Sequence, residues 1–381
     1  MTQPIPNQRH LFDIPDGVTY INCAYLSPLL NTVRDAGVDG IGRKVHPWKI
    51  VRRDFYAELD QARAGFAHLI GAAADDIAII PASSYGAATA AANLDIARGQ
   101  SVVLIEGEHG SNVRIWMVRA RDAGARTVTV ARPKDDDWTP AILDAIDGST
   151  AVVAVPNLHW TDGSLINLVA VGERARAVGA ALVVDGTQSI GAMPIDVTKV
   201  RPDFLVCSAY KWLLCPYTLG FLYAAPHRQS GQPLEQHGFN RAGVEAAEGA
   251  TDYPEPFEPG ARRYDMGERS NFVSLPMAIA ALDQLRAWDP ANVAATLKPL
   301  TEAAAEGGAR LGLSAPSQGL RAPHMIGLRS AAKQLPPGIQ QTLAQQGIYI
   351  SHRGNALRIS PHLYNSAADV DRLLAALKQI L

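Results

Sequence analysis

The sequence predicts an α/β protein: a mostly parallel sheet sandwiched by helices, with a smaller α+β domain at its C-terminal end. Short apolar runs recur through residues 77–224 with helical stretches between them, and parallel neighbours in one sheet need such crossovers. The alternation then stops after Ala225, where a Gly-, Pro- and acid-rich stretch gives way to new helix signals. The strands fall at Ile77–Ile80, Val102–Ile105, Thr127–Val130, Ala151–Val155, Ala181–Asp185, Phe204–Ser208 and Gly220–Ala224. Between the first six lie helical segments at Tyr85–Ala97, Arg114–Ala123, Pro140–Ile146 and Val169–Val178. The last strand is reached through a short apolar turn, so it could run antiparallel.

The helical stretch Arg34–Ile70 leads from an N-terminal segment into this sheet domain. Pro226–Gly260 reads as a long ordered loop over the sheet, of the kind that is usually functional. Helices at Ser274–Trp288 and Asn292–Gly307, weaker strand signals and a closing helix at Ala367–Leu381 make the smaller domain. The expected division is 1–30 as a segment serving the small domain and the active site, 31–270 as the large domain, and 271–381 as the small one.

A chain of 381 residues can bury one large core or two, and 47% hydrophobic with 19% charged residues is a globular composition. A formal net charge of -2 gives no reason to expect nucleic acid or an acidic membrane as partner. The three cysteines, Cys23, Cys207 and Cys215, are odd in number and lack C-x-x-C spacing, which argues against a disulfide framework and against a zinc site and fits a reducing, cytoplasmic setting. Residues Met1–Asp16 carry no apolar h-region and no window reaches bilayer-spanning length, so a soluble protein without a targeting signal is expected.

In an open α/β sheet, ligands bind outside the carboxyl ends of the strands. There this chain places Lys211, between the strand Phe204–Ser208 and the apolar Trp212-Leu213-Leu214. A desolvated lysine has a depressed pKa that frees the amine as a Schiff-base nucleophile; a lone strand-end lysine more commonly snorkels into solvent. After the first strand, Ala82-Ser83-Ser84-Tyr85-Gly86 can cradle a phosphate through backbone N–H groups and the helix dipole, or be an ordinary serine cap. His109 follows the second strand and could stack on an aromatic ligand or shuttle a proton, or be a solvated loop histidine. Asn157 follows the fourth, as an amide donor or a turn former. Asp185 ends the fifth, as a helix cap or a partner for a pyridinium.

The set converges on pyridoxal 5'-phosphate: an amine for the aldehyde, a carboxylate for the ring nitrogen, a histidine for the ring face and serines for the phosphate. A dinucleotide, the alternative cofactor, needs a G-x-G-x-x-G run after a strand, and the sequence has none.

The stretch Val183-Val184-Asp185-Gly186-Thr187-Gln188-Ser189-Ile190-Gly191, followed by Asp203-Phe204 and Ser208-Ala209-Tyr210-Lys211, resembles the signature of class V aminotransferases. That fold type I family includes cysteine desulfurases, isopenicillin epimerases, kynureninases and C–S lyases. The resemblance runs from Tyr20-Ile21-Asn22 to Leu357-Arg358-Ile359-Ser360-Pro361-His362-Leu363-Tyr364-Asn365. It implies that Lys211 binds the cofactor, Asp185 pairs with the pyridine nitrogen and His109 stacks on the ring. By the same resemblance, Asn157 and Gln188 hydrogen-bond the ring oxygen or substrate. Ser83, Ser84, Ser208 and Tyr210 fall on phosphate-binding positions, although the family often has histidine at the position of Tyr210. Arg358 matches the arginine that grips the substrate α-carboxylate, and Asn22 lies in a segment the family brings to the substrate. The loop Arg263–Asn271 matches one that reaches the neighbouring subunit's phosphate, with Glu268 where threonine is common, which implies a homodimer with shared sites.

One departure narrows the chemistry. Desulfurases of the family carry a nucleophilic cysteine shortly before the carboxylate arginine, because persulfide formation needs a thiolate near the substrate sulfur. Here Ser351-His352-Arg353-Gly354-Asn355-Ala356 has no cysteine. The expectation is amino-acid chemistry of the aminotransferase or C–S/β-elimination lyase type without a persulfide; the alternatives are an epimerase or racemase, or a silent cofactor-binding partner protein. Cys23 keeps an open role, and His46-Pro47-Trp48, His159-Trp160-Thr161 and Arg353 are candidates for substrate selection.

Overall fold

Uniformly apolar strands are explained by a sheet buried on both faces. The computed structural model describes residues 2–381 except 248, 250, 253 and 331–334. Its main sheet has seven strands, β1 (Ile77–Ile80), β2 (Ser101–Ile105), β3 (Arg126–Val130), β4 (Thr150–Pro156), β5 (Ala181–Asp185), β6 (Phe204–Ser208) and β7 (Gly220–Ala224). The spatial order is β1-β7-β6-β5-β4-β2-β3. In β4, Val153 and Val155 join the core on one face while Val152 and Ala154 join the core on the other, the period of two that pleating imposes.

Helices α1 (Asn31–Val45) and α2 (Ala57–Ile70) precede the sheet; α3 (Ser83–Ala92), α4 (Gly110–Ala123), α5 (Trp138–Ala145), α6 (Leu168–Ala177) and the short α7 (Val197–Val200) are its crossovers. The stretch 34–70 is therefore two helices, separated by turns at Pro47–Lys49 and Arg52–Phe55, because Pro47 has no N–H for a continuing helix. Helix α3 starts earlier than the sequence suggests and ends at Ala92; the amide of Asn93 bonds Thr89 O at 2.8 Å and Gln232 O at 2.9 Å, which ties the helix end to a crossing loop.

The direction of β7, left open by the sequence, is antiparallel to both β1 and β6. The Lys211 turn folds back on itself: Leu214 N–H donates to Lys211 O at 3.1 Å and Ala209 N–H to Leu219 O at 2.9 Å. The free edge of β1 is covered by the 265–266 segment, with Met266 N–H on Ile79 O at 2.9 Å. Behind it Asp265, 1% exposed, sits between Arg63 and Arg269 as a buried ion triad.

The second unit is a four-stranded sheet, β8 (Leu313–Ser314), β9 (Ile326–Ser330), β10 (Ser351–Arg353) and β11 (Ala356–Ile359), ordered β10-β11-β9-β8. Helices α9 (Pro290–Arg310), α10 (Ile339–Gln345) and α11 (Ala367–Ile380) complete it. Helix α8 (Ser274–Trp288) packs on α1 and α2, and Leu275, Leu282 and Leu285 belong to the large core. The expected boundary at 271 thus separates α8 from its packing partners, and the chain changes direction at Asp289, which has φ +62 and caps α9. Thr19–Tyr20 pairs in parallel with Ile348–Tyr349, and Ser27 N–H donates to Tyr210 O at 3.2 Å. The N-terminal segment therefore joins the second sheet to the Lys211 turn. Among the described residues, no helix is long and apolar enough to cross a membrane.

Candidate active site

The carboxyl ends of β1, β2, β5 and β6 open on one cavity of about 300 Å³. Ser83, Ser84, His109, Asp185, Gln188, Ser208, Tyr210 and Lys211 all line it. A second cavity of about 460 Å³ shares Lys211, His109, Trp160, Tyr210 and Tyr217 with the first and adds Tyr25, Arg353 and Arg358. Lys211 stands where the two meet.

Lys211 is 9% exposed. Burial, helped by the Arg358 guanidinium and opposed by Asp185, lowers its pKa to about 8; the amine therefore gives up its proton far more readily than an ordinary lysine. Its Nζ lies 5.3 Å from the Tyr210 ring centroid. Asp185 accepts from Thr187 N–H at 2.9 Å through Oδ1. Glu108, which the sequence reading passed over, lines the same cavity with a buried, unpartnered Oε2. Burial and the nearby Asp185 hold its carboxyl well above the usual range, which favours its protonated form.

At the other end, helix α3 begins without a side-chain cap, since its N-cap is Ala82. The cap reading of Ser83 and Ser84 therefore does not hold. Ser83 N–H donates to Ser208 Oγ at 3.2 Å, and Ser208 N–H donates to Thr187 Oγ1 at 3.0 Å, which binds the ends of β1, β5 and β6 into one polar rim. His109 caps α4 by accepting from Ser111 N–H at 3.4 Å through Nδ1, and its ring meets Trp160 edge-on at 5.6 Å. Burial and Lys211 lower its pKa, which favours a neutral ring. Gln188 is anchored at both ends, donating to Ala24 O at 3.2 Å and accepting from Trp212 Nε1 at 2.9 Å.

Two expected site residues lie elsewhere. Pro156 and Leu158 line the cavity, but Asn157 does not; its amide faces Met193 Sδ at 3.9 Å. Asn22 is also absent from the lining: it accepts from Ser351 Oγ at 2.7 Å, and Ser351 Oγ in turn accepts from Arg358 Nη2 at 3.5 Å. It positions the arginine. Among the selection candidates, His159 is buried against Trp138 and bonded to Arg132 and Glu106 O, and burial lowers its pKa to about 4. Trp160 does reach the cleft; Trp48, 75% exposed, does not. No described residue of the 226–260 loop lines either cavity.

Thr187, Tyr217 and Thr218 are site residues the sequence reading missed. Thr187 stood inside the Asp185 motif, and Thr218 has φ +64, a conformation that side chains seldom adopt outside constrained sites. The same segment Arg263–Asn271 leaves its own cleft untouched, with Glu268 exposed at φ +55.

The sequence pattern described as Aminotransferase class-V matches residues 43–373. An uncharacterized aminotransferase YcbU of Bacillus subtilis is 26% identical over 363 residues, covering 91% of this chain and 89% of that protein. The isopenicillin N epimerase of Streptomyces clavuligerus is 27% identical over 351 residues, covering 87% and 86%. Among solved structures, the cystine C-S lyase C-DES in complex with cysteine persulfide superposes with a TM-score of 0.86 at 19% identity, covering 96% of this chain and 98% of that one. The cysteine desulfurase CsdA of Escherichia coli gives 0.81 at 19% identity, covering 98% and 97%.

Proposed function

From the premise that the chain belongs to the class V aminotransferase family and is a pyridoxal-phosphate-dependent enzyme, we propose that it acts on an amino acid by transamination or β-elimination, with Lys211 carrying the Cα proton. The observation that carries this reading is a buried amine of lowered pKa on the wall common to both cavities. A general base works best with a pKa near the operating pH.

The donor set fits the cofactor. The uncapped N-terminus of α3 with Ser83, Ser84 and Ser208 would hold its phosphate, Asp185 its ring nitrogen, His109 its ring face and Lys211 its aldehyde. When bound, it supplies an electron sink for the pair left at Cα. The rest is the work of this chain. Arg358, 1% exposed, presents a guanidinium fork suited to the α-carboxylate. That contact sets Cα beside Lys211 Nζ, which takes the proton and returns it. Glu108, its carboxyl raised by burial, lies in the same cleft, and Trp160 with Tyr210 screens the reacting centre from water.

The cysteines support a route without persulfide. Cys23, Cys207 and Cys215 are 0%, 0% and 2% exposed and line neither cavity, and burial pushes each thiol pKa up, away from the reactive thiolate. The turn before Arg358 is Gly354-Asn355. The same buried, unpaired thiols fit a reducing cytoplasmic setting. A homodimer is supported by an exposed apolar stripe of Val38, Ile41 and Val45 on α1 continuing to Trp48, and by the 267–271 loop that leaves its own cleft free.

Holoenzyme incubated with a panel of amino acids should release keto acid, with ammonia or sulfide where elimination occurs. A protein-bound persulfide, or inversion at Cα with no keto acid, would overturn the reading.

A further inference from the structure

The substrate cavity holds two arginines and no acid to balance them. Arg353 ends β10 and Arg358 lies in β11, and both line the cavity that contains Lys211. Their guanidinium carbons stand 5.7 and 5.9 Å from the centroid of the same Trp160 ring. Arg358 spends one donor on Trp160 O at 2.9 Å and another on Ser351 Oγ at 3.5 Å. Arg353 spends one on the neighbouring His352 O at 2.9 Å. Each keeps a buried Nε with no partner, although a guanidinium has five donors in a rigid fork. Among the described residues neither is in an ion pair, whereas Arg63, Arg132 and Arg329 each meet a carboxylate.

Two cations of like sign in one sheltered cleft repel: burial first and then the Arg353 charge lower the affinity of Arg358 for its proton. Such an arrangement is costly without ligand and favourable with an anion on each fork. One α-carboxylate satisfies Arg358 only. We propose that the substrate is an amino acid with a second anion on its side chain, a carboxylate, sulfinate or sulfonate, which Arg353 grips while Arg358 holds the α-carboxylate.

This rests on the amino-acid reading above, and the test separates the two. Holoenzyme and Arg353→Gln are titrated calorimetrically with succinate and glutarate, and with propionate and butyrate as monocarboxylates of similar length; none has an amino group, so no turnover is needed. The dicarboxylates should bind the holoenzyme at least about tenfold tighter, and Arg353→Gln should erase that preference while keeping monocarboxylate affinity and the cofactor's visible absorbance. Equal affinities in the holoenzyme, or a preference that survives in Arg353→Gln, overturns the proposal. Absorbance is then followed with aspartate, glutamate, cysteine sulfinate and cysteate against alanine and serine. The first four should change the spectrum at concentrations at least tenfold lower, and their ranking identifies the anion. A larger response to alanine or serine overturns the proposal, and silence toward every amino acid with dicarboxylate preference intact sinks the amino-acid reading instead.

Discussion

Replacing Lys211 by methionine in the cofactor-free protein removes an amine that burial has made hard to charge. Methionine matches the length and apolar character of the lysine stem, so the packing change is small. The native pKa is about 8 against the ordinary 10.5, and that difference is worth about 3 kcal/mol. Below pH 8 the amine is protonated in both folded and unfolded chains, and the folded state bears the whole penalty. Between 8 and 10.5 the unfolded chain holds a proton that the native chain has released, so wild-type stability rises with pH. Above that window the amine is neutral in both states and the penalty is gone. Lys211→Met should therefore be more stable than wild type by about 3 kcal/mol at pH 7 and by only about 1 kcal/mol at pH 10. Urea denaturation of both proteins at the two pH values, followed by tryptophan fluorescence, measures it. No gain at pH 7, or the same gain at pH 10, would mean that Lys211 is solvated, and the argument for a primed amine would fail.

Arg358→Lys keeps the charge but loses the fork, and kcat/KM should fall about a hundredfold, with Arg358→Ala falling further; an unchanged KM would remove Arg358 from substrate binding. Asp265→Asn strands two buried guanidiniums, so chemical denaturation should show a loss of about 3–5 kcal/mol. Gly163→Ala puts a Cβ 2.2 Å from Met325 O at a backbone φ of +77 and should cost roughly 1–3 kcal/mol or more in the same assay. Cys23→Ala should leave keto-acid release within about twofold of wild type, because a buried thiol of raised pKa is a poor nucleophile. A hundredfold loss with the fold intact would restore a chemical role to that thiol.

Most of the sheet was legible because strand formation is local. The run Ala151–Val155 can only be a strand buried on both faces, and the structure extends it by one residue at each end. The cleft was legible for a related reason: in a parallel sheet the chain direction fixes which strand ends face the ligand. Lys211, Asp185, His109, Ser83 and Ser208 accordingly share one cavity although up to 128 residues separate Ser83 from Lys211. Asn157 lies off the cleft wall because the pleat turns alternate residues to opposite sides, and the register that put Leu158 and Pro156 on that wall is set by pairing with β5. Asn22 reaches Arg358 only through Ser351, which no sequence pattern links to it.

By itself the sequence determined the layered sheet and the cofactor's chemistry and put Lys211 at a strand end, since each follows from local periodicity and from residue types placed at strand ends. Only the tertiary structure decided that β7 runs backwards, that Glu108 is buried beside Asp185, and that Arg353 and Arg358 converge on Trp160. Those are distances across the chain, set by how two sheets dock around one loop, and no local pattern of side chains encodes them.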